Sequence, residues 1–299
     1  MSKAKPFIKW VGGKGQLIEQ LDSYLPRNFD KWEDATYIEP FVGGGAMLFH
    51  MLQHYPNIKH VYINDINTDL ITCYKTIKNE PERLILSLKS IEEKYYSLSN
   101  EKMQRDFFLE LRSKYNKKNH NEIENTAYFI FLNRTCFNGL YRVNKSGEFN
   151  VPFGKYKHPK ICDADIIRTD SELLKRVNIL NEDFESIFYA ATSNTLFYFD
   201  PPYRPLSKTS SFNSYTKESF DDSAQIRLKE YCDKIDKAGF YFMLSNSDCK
   251  GKTGDDIFLD SLYKDYIIER VWASRNINAN PNKRGKLTEI LVRNYLCVK

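Results

Sequence analysis

The stretch ATYIEPFVGGGAMLFHMLQHYPNIKHVYIND, residues 35–65, reads as strand, glycine turn, helix and strand. Ala35 to Phe41 is a short strand that runs into Gly43-Gly44-Gly45. Ala46 to His54 has helical character, and His60 to Asn64 is a second strand closed by Asp65. That order is a βαβ unit, and open α/β sheets bind ligands beyond their strand C-termini.

The rhythm breaks after Asp69. Glu82 to Ser97 and Phe107 to Tyr115 mix apolar and charged residues at helical spacing, and Ala127 to Leu132 is almost wholly apolar. LYRVNKSGEFNVPFGKYK, residues 140–157, then places Lys145-Ser146-Gly147 between two alternating segments, which predicts a β-hairpin. Strand-like Val177 to Leu180 and Leu196 to Phe199, helical Ser223 to Lys237 and strand-like Phe240 to Leu244 restore the α/β pattern. Tyr266 to Trp272 and Leu287 to Leu296 suggest a closing pair of strands around a basic loop. The expected architecture is an α/β domain of residues 1–68 and 163–299, interrupted by a helical insertion at 69–162.

The chain of 299 residues is 41% hydrophobic and 28% charged, as expected of a globular protein with a sizeable core. No apolar run approaches the ~20 residues a bilayer requires, and Met1 to Lys5 lacks a signal-peptide core, so a cytoplasmic protein is expected. Six cysteines without CxxC pairs and five histidines argue for reduced thiols and against zinc. The net charge of +5 decides little, but its distribution is uneven. Between Arg134 and Lys160, six Lys/Arg face one acid, Glu148, and Arg275, Lys283, Arg284 and Lys286 form a second cluster. Such patches follow polyanions or form ordinary solvated faces; charge alone leaves both readings open.

Leu196 to Phe199 stops at Asp200-Pro201-Pro202-Tyr203. Asp200 offers an acceptor, the prolines stiffen the backbone, and Tyr203 adds a flat face. This suits a planar amine, with the carboxylate and the Pro201 carbonyl for its two N–H groups. The plainer alternative is a strand cap with Tyr203 packed in the core. The glycine turn lacks GxGxxG spacing, and Gly12-Gly13-Lys14 has Ile8 where a phosphate loop needs glycine. Asp65 is placed to accept from ribose hydroxyls, or simply to cap a helix.

Together these residues resemble the Dam family of DNA adenine methyltransferases over nearly the whole chain. The similarity rests on Pro6-Phe7-Ile8-Lys9-Trp10-Val11-Gly12-Gly13-Lys14, Glu39-Pro40-Phe41-Val42-Gly43-Gly44-Gly45, Asn138-Gly139-Leu140-Tyr141-Arg142, Phe149-Asn150-Val151-Pro152-Phe153-Gly154 and Asp200-Pro201-Pro202-Tyr203. Arg284-Gly285-Lys286 and Glu289-Ile290-Leu291 also fit. The resemblance implies a Rossmann-like sheet with an inserted target-recognition domain, S-adenosyl-L-methionine as methyl donor, double-stranded DNA as partner and no metal. It implies that Trp10, Lys14, Asp65 and Asp200 line the cofactor pocket, with Phe41, Gly43 and Gly45 around the methionine portion and Asp183 near the adenine.

Direct methyl transfer to adenine N6 would then rest on Asp200 and Pro201 as acceptors, with Tyr203 stacked on a base flipped out of the duplex. The resemblance places target recognition at Asn138, Arg142 and Pro152, with Phe137 as a wedge, Lys155 on a phosphate or base edge, and GATC as the site. Arg275, Lys283 and Lys286 are assigned to backbone contact. Methylation of cytosine, RNA or a glutamine amide, and a DNA-binding protein without turnover, are the rival readings. A monomer on DNA is the expected form. An orphan, phage or restriction–modification role stays open.

Overall fold

A computed structural model describes residues 3–204, 220–249, 256–274 and 286–297. The βαβ unit comprises β1 (Ala35–Glu39), α2 (Ala46–His54) and β2 (Ile58–Asn64), preceded by the short α1 (Ile18–Ser23). Every residue of β1 is buried, as is every residue of β4 (Thr195–Phe199). Burial on both faces explains why these strands read as continuous apolar runs instead of alternating ones.

With β3 (Val177–Leu180), β5 (Tyr241–Ser247), β6 (Ile267–Ser274) and β7 (Lys286–Arg293), the strands form one seven-stranded sheet. Its order is β3-β2-β1-β4-β5-β7-β6. The first five are parallel, and β7 runs antiparallel between β5 and β6. The order reverses between β1 and β4, which opens a crevice at their C-terminal ends. The registers Glu39↔Ile63, Ile38↔Phe197 and Phe199↔Leu244, continued past the strand ends, bring Asp65, Phe41, Asp200 and Ser245 to one height.

The insertion consists of α3 (Thr68–Asn79), α4 (Pro81–Ser97), α5 (Glu101–Lys117) and α6 (Glu122–Thr135). Their starts are coded locally. The side chains of Asn67, Asn100 and Asn121 accept from the N–H groups of Leu70, Met103 and Glu124, and Pro81 opens α4. α6 is buried nearly all round, which suits the helix against which α3, α4 and α5 all pack. α7 (Ala164–Leu174), absent from the sequence expectation, returns the chain to β3 and packs on α3. One core cluster runs from the N-terminal segment through the sheet into α3–α6. A second covers the other sheet face with α8 (Asp222–Lys237) and α9 (Phe258–Leu262).

The expected hairpin forms, as a short pairing around its turn. Only the isolated antiparallel bridges Val143↔Phe149 and Cys136↔Phe153 form. Asn144 Oδ1 accepts from Ser146 and Glu148, Gly147 lies at φ +80°, and Asn116 takes both backbone groups of Phe149. The backbone bonds Asn144 N–H to Glu148 O at 2.9 Å and Asn150 N–H to Arg142 O at 3.1 Å flank the Val143↔Phe149 bridge, so the hairpin is short but paired, and Asn116 takes the Phe149 groups on its outer edge. Among the described residues no helix is long and apolar enough to cross a membrane.

Candidate active site

Lys14 is the centre of the crevice. It is 3% exposed, and its Nζ lies 2.9 Å from Asp200 Oδ1, 3.5 Å from Glu289 Oε2 and 4.2 Å from the Tyr203 ring centroid. It also donates to Gly12 O. The Tyr203 hydroxyl donates to Glu289 Oε2 at 2.6 Å, and Ser245 Oγ donates to Asp200 Oδ1 at 3.3 Å. Strands β4, β5 and β7 and the N-terminal segment therefore converge on one charged cluster.

Burial pushes the Asp200 carboxyl above the usual carboxylate range; Lys14 pulls it down and the charge of Glu289 pushes it up again. Burial raises the Tyr203 hydroxyl well above its ordinary value, and the neighbouring Asp200 and Glu289 add to this. Glu39, buried at the end of β1, is likewise raised well above its range by burial and accepts from the Tyr37 hydroxyl at 2.8 Å. Titratable groups displaced in a crevice are a mark of functional sites.

Asp65 follows β2 into the same crevice. Its carboxylate accepts from Gly43 N at 3.1 Å and Asn67 N at 2.9 Å, and burial raises it to about 6 despite these bonds. Gly43 and Gly45 adopt φ +48° and +75°. A Cβ at Gly43 would come within 2.9 Å of the Trp10 ring, and one at Gly45 within 2.5 Å of the Tyr74 hydroxyl. The turn therefore needs glycine, and Trp10 lies directly on it. Phe41 packs on Phe184, with ring centroids 5.3 Å apart, and on Phe220 at 5.6 Å. Asp183 caps the 3-10 helix Phe184–Ala190 through the Glu185 N–H and pairs with Arg227 at the surface.

A hydroxyl-accepting acid at a strand end, a glycine turn, an aromatic patch and a buried lysine among carboxylates fit the donor set of S-adenosylmethionine. Its ribose, adenine and zwitterionic amino-acid end would each meet a suitable group. Sequence reasoning brought Trp10, Lys14, Phe41, Gly43, Gly45, Asp65, Asp200, Pro201 and Tyr203 to this crevice. Glu289 entered only within the matching stretch Glu289-Ile290-Leu291, with no role, and Ser245 was missed. Gln225 and Asn246 were also missed. The Gln225 amide donates to Pro202 O at 3.3 Å, and Asn246 donates to Gln225 Oε1 at 3.0 Å, which steadies the proline turn from behind.

The insertion presents a second group. Phe137 N–H donates to Pro152 O at 2.8 Å and Gly154 N–H to Thr135 O at 2.8 Å, so the segments 137–142 and 152–155 lie side by side. Phe137 is 51% exposed, Arg142, Pro152 and Lys155 are exposed, and Asn138 is half-buried with φ 55°. Arg142 rests on Asn150, through Nε to Oδ1 at 2.7 Å, and Lys155 pairs with Glu101 at 2.8 Å. Arg134 leaves the basic patch expected from charge counting: it turns inward and donates to Phe7 O at 2.6 Å. Arg275, Lys283 and Arg284 lie outside the described residues, and Lys286 is placed only as the first residue of β7.

Comparison with known proteins agrees with this geometry. Residues 10–277 match the family described as D12 class N6 adenine-specific DNA methyltransferase. The chain is 47% identical to the type II methyltransferase M.MjaIII of Methanocaldococcus jannaschii, over 98% of this chain and all of that protein. It is 38% identical to the type II methyltransferase M1.LlaDCHI of Lactococcus lactis subsp. cremoris, over 97% of this chain and 95% of that protein. A DNA adenine methylase of Vibrio cholerae is 32% identical over 97% of this chain and 96% of its own length.

Proposed function

The chain belongs to the D12 class of N6 adenine-specific DNA methyltransferases, and from that premise we propose that it methylates adenine N6 within GATC in duplex DNA, using S-adenosyl-L-methionine and a flipped-out target base. The observation that carries this reading is the Lys14 ammonium held by Asp200 above the Tyr203 ring. An N–H donor already occupies the place that an exocyclic amine would take, against the same acceptor and over the same aromatic face.

When bound, the cofactor would supply an electrophilic methyl group whose bond to the sulfonium breaks as the methyl is transferred, leaving a neutral thioether. The protein's part is to hold the amine. One N–H donates to the Asp200 carboxylate and the other to the Pro201 carbonyl, which turns the nitrogen lone pair out of conjugation and stabilises the positive charge that develops there. The displaced N–H proton becomes acidic as the new N–C bond forms and passes to solvent, so Asp200 serves as acceptor and need not be a strong base. For the amine to enter, Lys14 must leave Asp200, and Glu289 Oε2 is the carboxylate oxygen within its reach. Tyr203 stacks on the base, and stacking with pocket hydrogen bonds offsets the few kcal/mol of flipping.

Trp10, Lys14, Phe41, Gly43, Gly45 and Asp65 hold the cofactor, and Asp183 stands at the adenine end. Residues 1–68 and 163–299 form the catalytic domain and residues 69–162 the recognition domain, a single chain acting on each site. Within the latter, Phe137 wedges into the stack and Asn138, Arg142, Pro152 and Lys155 face the groove. Two of the relatives are named as type II methyltransferases, which favours a restriction–modification role.

The test is transfer of labelled methyl to a GATC duplex and to one with its adenine replaced, with product digestion and Asp200→Ala in parallel. Label recovered as N6-methyladenine in the first duplex alone, and lost in the variant, is the expected result. Label in both duplexes overturns GATC; no label in either, with S-adenosylmethionine bound, overturns the reaction.

A further inference from the structure

The segment from residue 3 to Lys14 has no regular secondary structure, yet both catalytic and recognition elements hold it. Gln53 on α2 exchanges two hydrogen bonds with Ala4, at 2.9 and 3.1 Å, and Asp170 on α7 accepts from Lys5 N. From α6, Arg134 donates to Phe7 O. At Lys9 the contact becomes reciprocal: Lys9 N–H donates to Asn133 Oδ1 at 2.8 Å, and Asn133 Nδ2 donates back to Lys9 O at 2.8 Å. The second Nδ2 proton goes to Gly139 O at 3.0 Å.

Asn133 is 2% exposed and spends both its donors and its carbonyl on these three bonds. A reversed amide would set its oxygen against two carbonyls, so the orientation is fixed. One buried side chain therefore ties the strap that carries Trp10 and Lys14 to the loop that carries Phe137 and Asn138.

The loop itself is built for this attachment. Gly139 takes φ +63°, and a Cβ there would lie 2.6 Å from Lys9 Cβ and 2.5 Å from its Cδ. Two residues on, the Tyr141 ring stacks on Trp10, with centroids 5.6 Å apart and planes at 25°, and Trp10 lies on Gly43. Exposed Phe137 and Arg142 thus bracket Gly139 and Tyr141, two residues that grip the strap.

We propose that Asn133, which lies outside both the DNA-facing and the cofactor-facing groups, is a positioning residue that couples target recognition to the cofactor pocket. Its amide holds loop and strap as one body, so that seating the loop on the correct sequence also sets Trp10 and Lys14. This rests on the function proposed above. A packing role alone would lower stability and leave the response of cofactor affinity to DNA sequence unchanged.

The test uses the full-length protein and S-adenosylhomocysteine as probe. Its dissociation constant is measured by calorimetry alone, with a GATC duplex, and with a duplex changed at one outer base pair. In the wild type the GATC duplex is expected to tighten binding at least five-fold over the altered one, within the usual range of coupled sites. In Asn133→Ala that ratio falls below two, while affinity without DNA changes less than about three-fold. Gly139→Ala, which strains the same contact from the loop side, is expected to behave alike. Asn133→Ser is neutral and too short to bridge strap and loop, so it carries the measurement if the alanine variant does not fold.

A ratio preserved in folded variants, or a ratio of one in the wild type, overturns the coupling. Absence of methyl transfer by the wild type would instead overturn the proposed function. Transfer to another sequence would overturn GATC alone, and the ratio is then read on that duplex.

Discussion

Lys14 Nζ lies 2.9 Å from Asp200 Oδ1, joining the N-terminal strap to the turn that ends β4. Two carboxylate-bearing elements, the β4 turn and β7, meet here, and Lys14 reaches both Asp200 and Glu289. Its charge opposes the burial that pushes the Asp200 carboxyl upward.

Replacing Lys14 by methionine should therefore make Asp200 harder to ionise. The carboxylate is the much stronger acceptor for an N–H that gains positive charge, so activity falls as pH falls through the Asp200 pKa. The acidic limb of the kcat/KM profile should move up by about one to three pH units, the range for loss of a neighbouring opposite charge. The profile of the variant against that of the wild type checks this; an unmoved acidic limb would mean that Asp200 is not the group being titrated.

Tyr203 offers two features that mutation separates. Its hydroxyl binds Glu289 at 2.6 Å, while its ring lies beneath Lys14. Tyr203→Phe should keep most of the activity, because stacking needs only the ring. Tyr203→Ala should lose about 1–3 kcal/mol of target-base binding. Fluorescence of 2-aminopurine at the target position reports this directly: flipping should persist in the phenylalanine variant and collapse in the alanine variant.

The acids of the site were legible in the sequence because each ends an apolar run at a predictable place: Asp65 after HVYIN and Asp200 after LFYF. The glycine turn was legible for the same reason. Glu289-Ile290-Leu291 fits the family, but the place of Glu289 in the site was not legible, since nothing local distinguishes it from any polar residue of a strand. Only the antiparallel insertion of β7 beside β5, with Ser247 opposite Glu289, carries it to Lys14 across most of the chain. Asn133 was hidden in the apolar run of α6, where it reads as one polar residue of a buried helix. The hairpin was legible in its turn, which the Val143↔Phe149 bridge closes, and not in its length. Asn144 steadies the turn from within, and Asn116 on α5 takes the outward backbone groups of Phe149, a tertiary contact that leaves no periodic signal.

Asp65 makes cofactor binding pH-dependent in a defined sense. Burial raises it to about 6, and its ionised form is the stronger acceptor for ribose hydroxyls. Affinity for S-adenosylhomocysteine should therefore be full at pH 8 and weaken as pH falls through about 6. Asp65→Asn should bind more weakly at pH 8 and show no inflection there. Titration calorimetry at four or five pH values decides it, and an inflection retained in the variant would assign the effect elsewhere.

Asp170 concerns stability and not activity. It is fully buried on α7, where one oxygen accepts from Lys5 N at 3.3 Å and the other has no hydrogen-bond partner among the described residues; burial pushes the carboxyl to about 8. Its folded value is raised above the unfolded one, so its contribution is complete below about pH 4 and is lost as pH rises toward about 8. Asp170→Asn keeps the acceptor and cannot ionise. Its Tm should exceed that of the wild type at pH 8, with the difference shrinking toward pH 5. A difference independent of pH would show that packing, not ionisation, separates the two.

Arg142 and Lys155 are both exposed cations of the recognition segment, yet they should fail differently. Asn150 orients the Arg142 guanidinium from one edge, through Nε at 2.7 Å and Nη2 at 3.4 Å, as a planar fork requires for reading a base. Arg142→Lys keeps the charge and loses the fork, so about 1–3 kcal/mol of discrimination should disappear at one base pair, with little change in binding to unrelated duplexes. Lys155 pairs with Glu101 at the surface, an interaction worth little by itself. Lys155→Ala should weaken all duplexes alike and lower the slope of log affinity against log salt by about one. Methylation rates on a panel of single-base-pair variants, with binding at several salt concentrations, separate the two. Equal loss across the panel for Arg142→Lys would make that residue a phosphate contact.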